Sequence, residues 1–275
     1  MSSIANENSG LPSAIIYLLS KTTKKRQISS DYSDIVYYFD SSLICPHGFV
    51  FLISLHDITI PVTWNIISAY NENNTLVYSI NGVTTTYTIP DGNYSVLDLQ
   101  DLFNSNTPFT VSYSSITNEY TFTHATYDFI LMSSSTCFDI IGLTDGASYS
   151  STSKSLTCVN GVDLSGTREM YICTNIRTLT LDSRIGTANS SILAKIPIDV
   201  PYGNILTYNN FNGFRNVSMN NIINNIHVRI EDDKGNLLTV NKHYSMSIEV
   251  HITPNKLMIY SNTLPPNEKI PSGEN

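Results

Sequence analysis

Four cysteines and six histidines are the side chains of this sequence best suited to ligating a metal or carrying a nucleophilic reaction. A zinc site draws such ligands in close pairs, as in Cys-x-x-Cys. No two of Cys45, Cys137, Cys158, Cys173, His47, His56, His124, His227, His243 and His251 stand at such a spacing with a partner. Each cysteine is flanked by apolar or small residues, as in "LICPH" and "MYICT", which describes buried free thiols of a reducing compartment rather than a disulfide framework. A Cys-His nucleophile pair needs only closeness in space, and nothing in the sequence marks one. His227 and His251 fall at alternating strand positions and read as residues of an exposed face. "EDDKGN", residues 231–236, begins like a calcium loop but lacks the spaced carboxylates and the later glutamate, so it reads as a hairpin turn. "CVNGVDLSG" offers two glycines without the helix that a phosphate cradle needs, and P-loop, GxSxG and GxGxxG motifs are missing. No catalytic, cofactor-binding or metal residue is assigned, no cofactor is expected, and the chain is not read as an enzyme.

Two groups of residues could still bind a partner. "KTTKKR" places Lys21, Lys24, Lys25 and Arg26, four of the 15 basic residues, within six positions. Such a cluster reads as a solvated arm or, more sharply, as a contact for nucleic acid or an acidic partner. With 23 acidic residues and a net charge of -8, the chain as a whole has no electrostatic footprint for nucleic acid, so any such contact is local. Tyr32, Tyr37, Tyr38, Tyr113 and Tyr120 could build a surface for stacking sugars or bases, although tyrosines in alternating strands more often serve a core or an interface.

The elements that must position these residues are mostly strands. Of 275 residues, 41% are hydrophobic, only 14% are charged and 17 are Tyr, a composition that favours strands and amide-rich loops. "DIVYYFD" (34–40) and "GFVFLISLHDITI" (48–60) are dense apolar runs expected to be buried strands. "TLVYSINGVTTTYTI" alternates on both sides of Asn81-Gly82, a hairpin signal because a type I′ turn needs positive φ at both central positions. In "YTIPDGNYSVLDLQDLFNSN", Ser95 can cap a short helix with Asp98 three residues on, and Val96, Leu97, Leu99, Leu102 and Phe103 form its apolar side. A second hairpin (109–124), a strand at 128–132 and a short helix ending at Gly142 follow. Residues 144–165 are Ser, Thr and Gly-rich and read as a linker or surface loop. Strand patterns return at 168–176, 192–200, 204–211, 224–232 and 243–252. In the fourth of these, Ile226, Val228 and Ile230 oppose His227, Arg229 and Glu231.

Strands near both ends thus bracket a small α+β unit, and their number and long connections suit a jelly roll or Greek-key sandwich. The expected fold class is all-β with a small α+β insertion, a single jelly-roll β-sandwich. The expected division is an N-terminal arm (1–30), a jelly roll (31–71 and 149–253), an inserted domain (72–148) and a C-terminal tail (254–275). The start of the chain lacks a secretory pattern, and "SAIIYLLS" is far shorter than the ~20 apolar residues of a membrane span.

Several segments in order resemble the penton and minor capsid proteins of virophages, polinton-like viruses and adinto-type viruses. "TLDSRIGTANSSILAKIPIDVPYGNILTYNN" and "IINNIHVRIEDDKGNLLTVNKHYSMSIEVHI" are similar to the C-terminal half of that family, where a yG-containing stretch precedes a strand, a D-x-x-G turn and a closing strand. "IPDGNYSVLDLQDLFN" resembles its helix entry, "CFDIIGL" its LLGF-like segment and "VDLSGTREMYICTNI" an LsG-containing strand. The likeness spans about residues 34–252 and departs mildly at Ile140-Ile141-Gly142-Leu143, where the family usually ends in Phe. It implies a single jelly-roll capsid protein of the virion, assembling as a homo-pentamer at five-fold vertices beside a double jelly-roll major capsid protein. Beyond the resemblance, the insertion is the expected contact for a fibre or host receptor, and Lys21, Lys24, Lys25 and Arg26, which match no motif of the family, are the candidate contact for nucleic acid or an inner capsid protein. The alternatives are a cementing minor capsid protein and a trimeric receptor- or glycan-binding spike head.

Overall fold

The computed structural model describes residues 13–255 apart from 23, 179–180, 183–186, 189–190, 212 and 214. In chain order the first elements are β1 (Ser13–Leu19), β2 (Lys25–Gln27), β3 (Asp34–Ile44), β4 (Phe49–Pro61), β5 (Thr75–Ile80), β6 (Val83–Thr88), α1 (Val96–Asn106), β7 (Phe109–Ser114), β8 (Glu119–His124), β9 (Phe129–Leu131) and α2 (Phe138–Ile141). They continue with β10 (Tyr149–Ser150), β11 (Ser155–Thr157), β12 (Glu169–Thr174), β13 (Leu181–Asp182), β14 (Thr187–Ala188), β15 (Ile192–Pro197), β16 (Ile205–Asn209), β17 (Asn216–Val217), β18 (Ile222–Glu231) and β19 (Ser245–Pro254). The chain divides into two compact units, Met1–Thr63 with Glu169–Asn275, and Trp64–Arg168.

The first unit is a jelly roll. Its strands form two antiparallel sheets, β1-β19-β4-β16 and β15-β12-β18-β3, with β17 added on β4 and β2 added on β3. Counting the eight main strands along the chain, the sheets run 1-8-3-6 and 5-4-7-2, the interleaved Greek keys of this fold. Period-two alternation sends one face of each strand inward. Leu18, Ile58, Ile60, Leu206, Met246 and Ile248 are buried in the first sheet, and Ile35, Tyr37, Met170, Ile172, Val228 and Ile230 in the second.

The second unit holds two small sheets, β10-β9-β5-β6 and β11-β8-β7, around an aromatic core. Phe103, Phe109, Tyr120, Phe122 and Phe129 meet edge-on or tilted, with centroids 4.6 Å apart for Phe109 and Phe129 and 5.6 Å for Phe103 and Phe122. The expected hairpin turns at Asn81 (φ 49°) and Gly82 (φ 78°), as a type I′ turn requires. Helix α1 starts with a complete capping box, Ser95 Oγ accepting from the Asp98 amide and the Asp98 carboxylate accepting from Ser95. Its buried face is Leu99 and Phe103, while Leu97 is 57% exposed, because the side chain falls off the 3.6-residue stripe.

Four expectations change. Residues 13–27 are not a free arm: β1 pairs with β19 along its whole length and β2 pairs with β3. Seven residues with one inward side chain per two carry little periodic signal, and the ladder to β19, more than 200 residues away in sequence, makes the strand. Residues 1–12 of that arm, and the tail from 256 onward, lie outside the described residues. The inserted unit runs from 64 to 168 rather than 72 to 148. Residues 144–165 are part of that unit, because β10 and β11 are edge strands of its two sheets and Cys158 and Val162 enter its core. Glu231 shares a face with Arg229 but is not exposed; it is 4% exposed, its Oε1 held 2.6 Å from the Arg229 guanidinium.

Candidate interaction surface

Among the described residues, no group of three His, Cys, Asp or Glu side chains is placed to hold a metal ion. The histidines are instead used singly. His227 Nε2 lies 2.5 Å from Asp34 Oδ1, His251 Nε2 lies 2.6 Å from Glu249 Oε1, and His124 Nδ1 accepts from the amides of Thr126 and Tyr127. All four cysteines are buried and outside any disulfide. Burial pushes the Cys158 thiol up to about 12, aided by the nearby Glu119 charge, and raises those of Cys137 and Cys45. Cys173 donates to Glu231 Oε2 at 3.3 Å. Burial keeps the reagent from all four, and the raised pKa of Cys45, Cys137 and Cys158 leaves them little thiolate at neutral pH, so none should react with DTNB in the native protein and all four should react in urea. Fast reaction of one thiol without denaturant would show that a cysteine is solvent-accessible.

The five tyrosines do not form one stacking surface. Tyr37 is buried, its hydroxyl 3.2 Å from that of Tyr244, and burial pushes it up to about 12. Tyr120 is buried in the other unit with its hydroxyl donating to the Val96 carbonyl. Tyr113 donates to Asn118 Oδ1 at 2.7 Å, Tyr32 lies under the Lys25 ammonium at 4.6 Å, and Tyr38 is exposed on β3.

The basic cluster falls on the turn from β1 into β2. Lys24 pairs with Asp40. Lys25 donates to the Ser20 carbonyl, and burial lowers its pKa. Lys21 and Arg26 are exposed. Two of the four cations are therefore engaged inside the jelly-roll unit rather than carried on an arm.

What sequence reasoning did not find is a pair of apolar flanks on the jelly roll. On one flank, β1 ends the first sheet and β3 with β2 ends the second. Tyr17, Leu19, Thr22, Lys24, Tyr38 and Phe39 line a cleft of about 200 Å³ there, and a second of about 150 Å³ opens beside Ala14, Ile44 and Ile252. Ile15, Tyr17 and Leu19 all point outward from β1, Tyr17 being 73% exposed. On the opposite flank, β16 ends the first sheet and β15 the second. Ile205 and Tyr202 are exposed there, and Phe211, just past β16, is 91% exposed. Isolated exposed hydrophobics are ordinary; Ile15, Tyr17 and Leu19 form a row along β1, whereas within β16 Ile205 is the exposed apolar residue, with Tyr202 and Phe211 before and after the strand. The continuous apolar run within "SAIIYLL" was the available sequence signal, hidden by the reading of that stretch as an arm.

Between the flanks, the outer face of the first sheet carries polar residues together with Glu249, which pairs with His251 at 2.6 Å and with Arg215 at 3.4 Å. Cross-strand rows read Leu19-Ser245-Thr59-Thr207 and Tyr17-Ser247-Asp57-Asn209. The second sheet carries ion pairs as well: Lys195 pairs with Glu169 at 2.7 Å, Arg229 with Glu231, and His227 with Asp34.

No protein-family model and no curated protein matches the sequence. Among solved structures, the chain is similar to the selenomethionine-labelled mavirus penton protein, with a TM-score of 0.52 and 9% identity, over 88% of this chain and 100% of that one. At that identity the likeness is one of backbone architecture, and it establishes that this chain has the jelly-roll fold found in the mavirus penton protein.

Proposed function

We propose that the chain is a capsid protein that assembles as a homo-pentamer at the five-fold vertices of an icosahedral virion, beside a double jelly-roll major capsid protein. The observation that carries this reading is the fold, a single eight-stranded jelly roll whose likeness to the mavirus penton protein extends over 100% of that protein's chain. A closed ring needs two different sides on each subunit, and the apolar flanks at β1 and β16 are suited to that need. The unit Trp64–Arg168 has its own sheets and aromatic core, and we assign to it the contact with a fibre or host receptor. Lys21 and Arg26, with Lys24 and Lys25, are the residues proposed to meet nucleic acid or an inner capsid protein.

The test is the mass of the native protein by light scattering, followed by particle averaging. A pentamer, five times 30.6 kDa, supports the reading. A trimer moves the weight to a receptor- or glycan-binding spike head. Replacing residues 64–168 by a short Gly/Ser linker is expected to keep the pentamer and abolish attachment. Loss of the pentamer in that variant would place the unit in the assembly machinery instead.

A further inference from the structure

We infer that one end of the jelly-roll sandwich is a docking site for the chain's own apolar run "LMIY" (257–260), which follows β19 and plugs the cleft between β1, β3 and β19. The plug belongs to the jelly-roll unit alone and does not depend on how many copies assemble.

The site is built from strand ends. Ala14 at the start of β1, Leu43 and Ile44 at the end of β3, Phe51 near the start of β4, and Val250 and Ile252 near the end of β19 line a cleft of about 150 Å³. A cavity of about that volume admits a benzene-sized group, so the cleft has room for one large apolar side chain. An exposed apolar strip adjoins it. Ile44, 66% exposed, stands directly opposite Ile222, 55% exposed, and residues so paired share a face. Met219 is 52% exposed, and its neighbour Ser218 donates to the Phe51 carbonyl at 2.8 Å. Three apolar side chains more than half exposed beside an apolar cleft form a patch, unlike the scattered exposures of any surface.

The occupant is selected by where the chain goes and what it carries. Ile252 lies three residues before Asn255, whose amide donates to the Gly48 carbonyl at 2.8 Å and holds the chain at this end of the sandwich. Two residues further on begins the succession Leu257, Met258, Ile259 and Tyr260. At about 3.3–3.6 Å per extended residue, these side chains can reach any point within about 18 Å of Asn255. A continuous run has an apolar face whichever way its backbone turns, so it can fill the cleft and cover Ile44 and Ile222 together. Residues 1–12 reach the same end but match it poorly. Ile4 and Leu11 are separated by Ala-Asn-Glu-Asn-Ser-Gly, and Pro12 interrupts the ladder over Ile252. Ser20 donates to the Tyr244 carbonyl, bonded pairs alternate along antiparallel strands, and position 12 falls in the bonded set opposite Ile252, where proline has no N–H to give. A second copy must bring its apolar group by diffusion, whereas the run is tethered beside the cleft at high effective concentration.

The experiment uses the full-length protein at sub-micromolar concentration. Ile44→Cys is combined in turn with Leu257→Cys, Met258→Cys, Ile259→Cys or Tyr260→Cys and oxidised with copper phenanthroline, the native thiols being buried. At least one pair is expected to form a disulfide within a single chain, read by peptide mass spectrometry. Tyr202→Cys with Ile259→Cys is the control and should form none, because Gly203 donates to the Val62 carbonyl, past the far end of β4. In a second arm residues 256–275 are deleted. The deletion is expected to lower the melting temperature of the jelly-roll unit by about 5–10 °C and to raise binding of the dye ANS, and a synthetic peptide of residues 255–262 should reverse both. Absence of a disulfide at all four positions, disulfides only between chains, or a link from Ile44→Cys to Leu11→Cys in place of the run would each overturn the inference. So would unchanged melting and dye binding in the shortened chain. The native mass reports on the ring separately, so failure of the plug leaves the pentamer standing and failure of the pentamer leaves the plug.

Discussion

Replacing Gly142 by alanine is expected to destabilise the inserted unit by about 3–5 kcal/mol, a large loss for removal of no contact. Gly142 follows α2 at φ 86°, ψ 29°, a left-handed conformation that an L side chain resists. Strain at such a position alone costs about 1–3 kcal/mol. Here the added Cβ would also stand 2.1 Å from the Asn160 carbonyl oxygen. That oxygen cannot retreat cheaply. Its segment is held by the Cys158 amide on Tyr120, the Val162 amide on Asn118 and the Asp163 amide on Ile140, and Asn160 itself donates to the Gly142 carbonyl at 2.9 Å. Moving it breaks backbone bonds worth about 1 kcal/mol each. Gly146 is the control, with φ 79° and nothing within 4 Å of an added Cβ, so Gly146→Ala should show the strain alone. Urea unfolding followed by the fluorescence of Trp64, the one tryptophan, reads both variants. Equal losses at the two glycines would show that the approach of Asn160 contributes nothing.

Truncating Phe103 to alanine is the second large effect, about 3–5 kcal/mol in the same unit. Phe103 is fully buried on α1 and meets Phe122 at 5.6 Å, Tyr87 at 6.2 Å and Tyr120 at 6.4 Å. Its loss removes the transfer free energy of a phenyl ring and three edge contacts, and it leaves a cavity whose walls are rigid aromatic rings. Leu97→Ala, on the exposed side of the same helix, should change stability by less than about 0.5 kcal/mol. Comparable losses at Phe103 and Leu97 would mean that helix propensity, not the aromatic core, holds α1. Both substitutions lie within Trp64–Arg168, so the proposed pentamer is expected to survive both at low urea.

Much of the local structure was legible in the residues. Asn81-Gly82, the Ser95/Asp98 cap and Gly142 each dictate a backbone conformation from chemistry within a few residues, and each stands where the spacing placed it. The strands at β3, β4, β12, β15, β16, β18 and β19 announced themselves by dense apolar content or alternation. The short strands did not. β10 and β11, two and three residues long in a Ser/Thr-rich stretch, have no period to detect, and they exist because neighbouring strands supply the hydrogen-bond ladder. Likewise Glu231 alternates with exposed residues in sequence, yet it is buried against Cys173 and Arg229, which adjoining strand positions bring to it.

The sequence by itself determined the strand-rich class, the inserted helix with its cap, the turns and the absence of known catalytic motifs, because propensity, turn chemistry and periodicity act within about ten residues. Only the tertiary structure decided which strands pair, that Ser13–Leu19 is a sheet edge rather than an arm, and that Tyr17 and Asn209 stand at the two ends of one cross-strand row. The physical reason is that a backbone ladder is nearly blind to side-chain identity. The partner of β1 is fixed by how the whole set of apolar faces closes on one core, and that information is distributed over the entire chain.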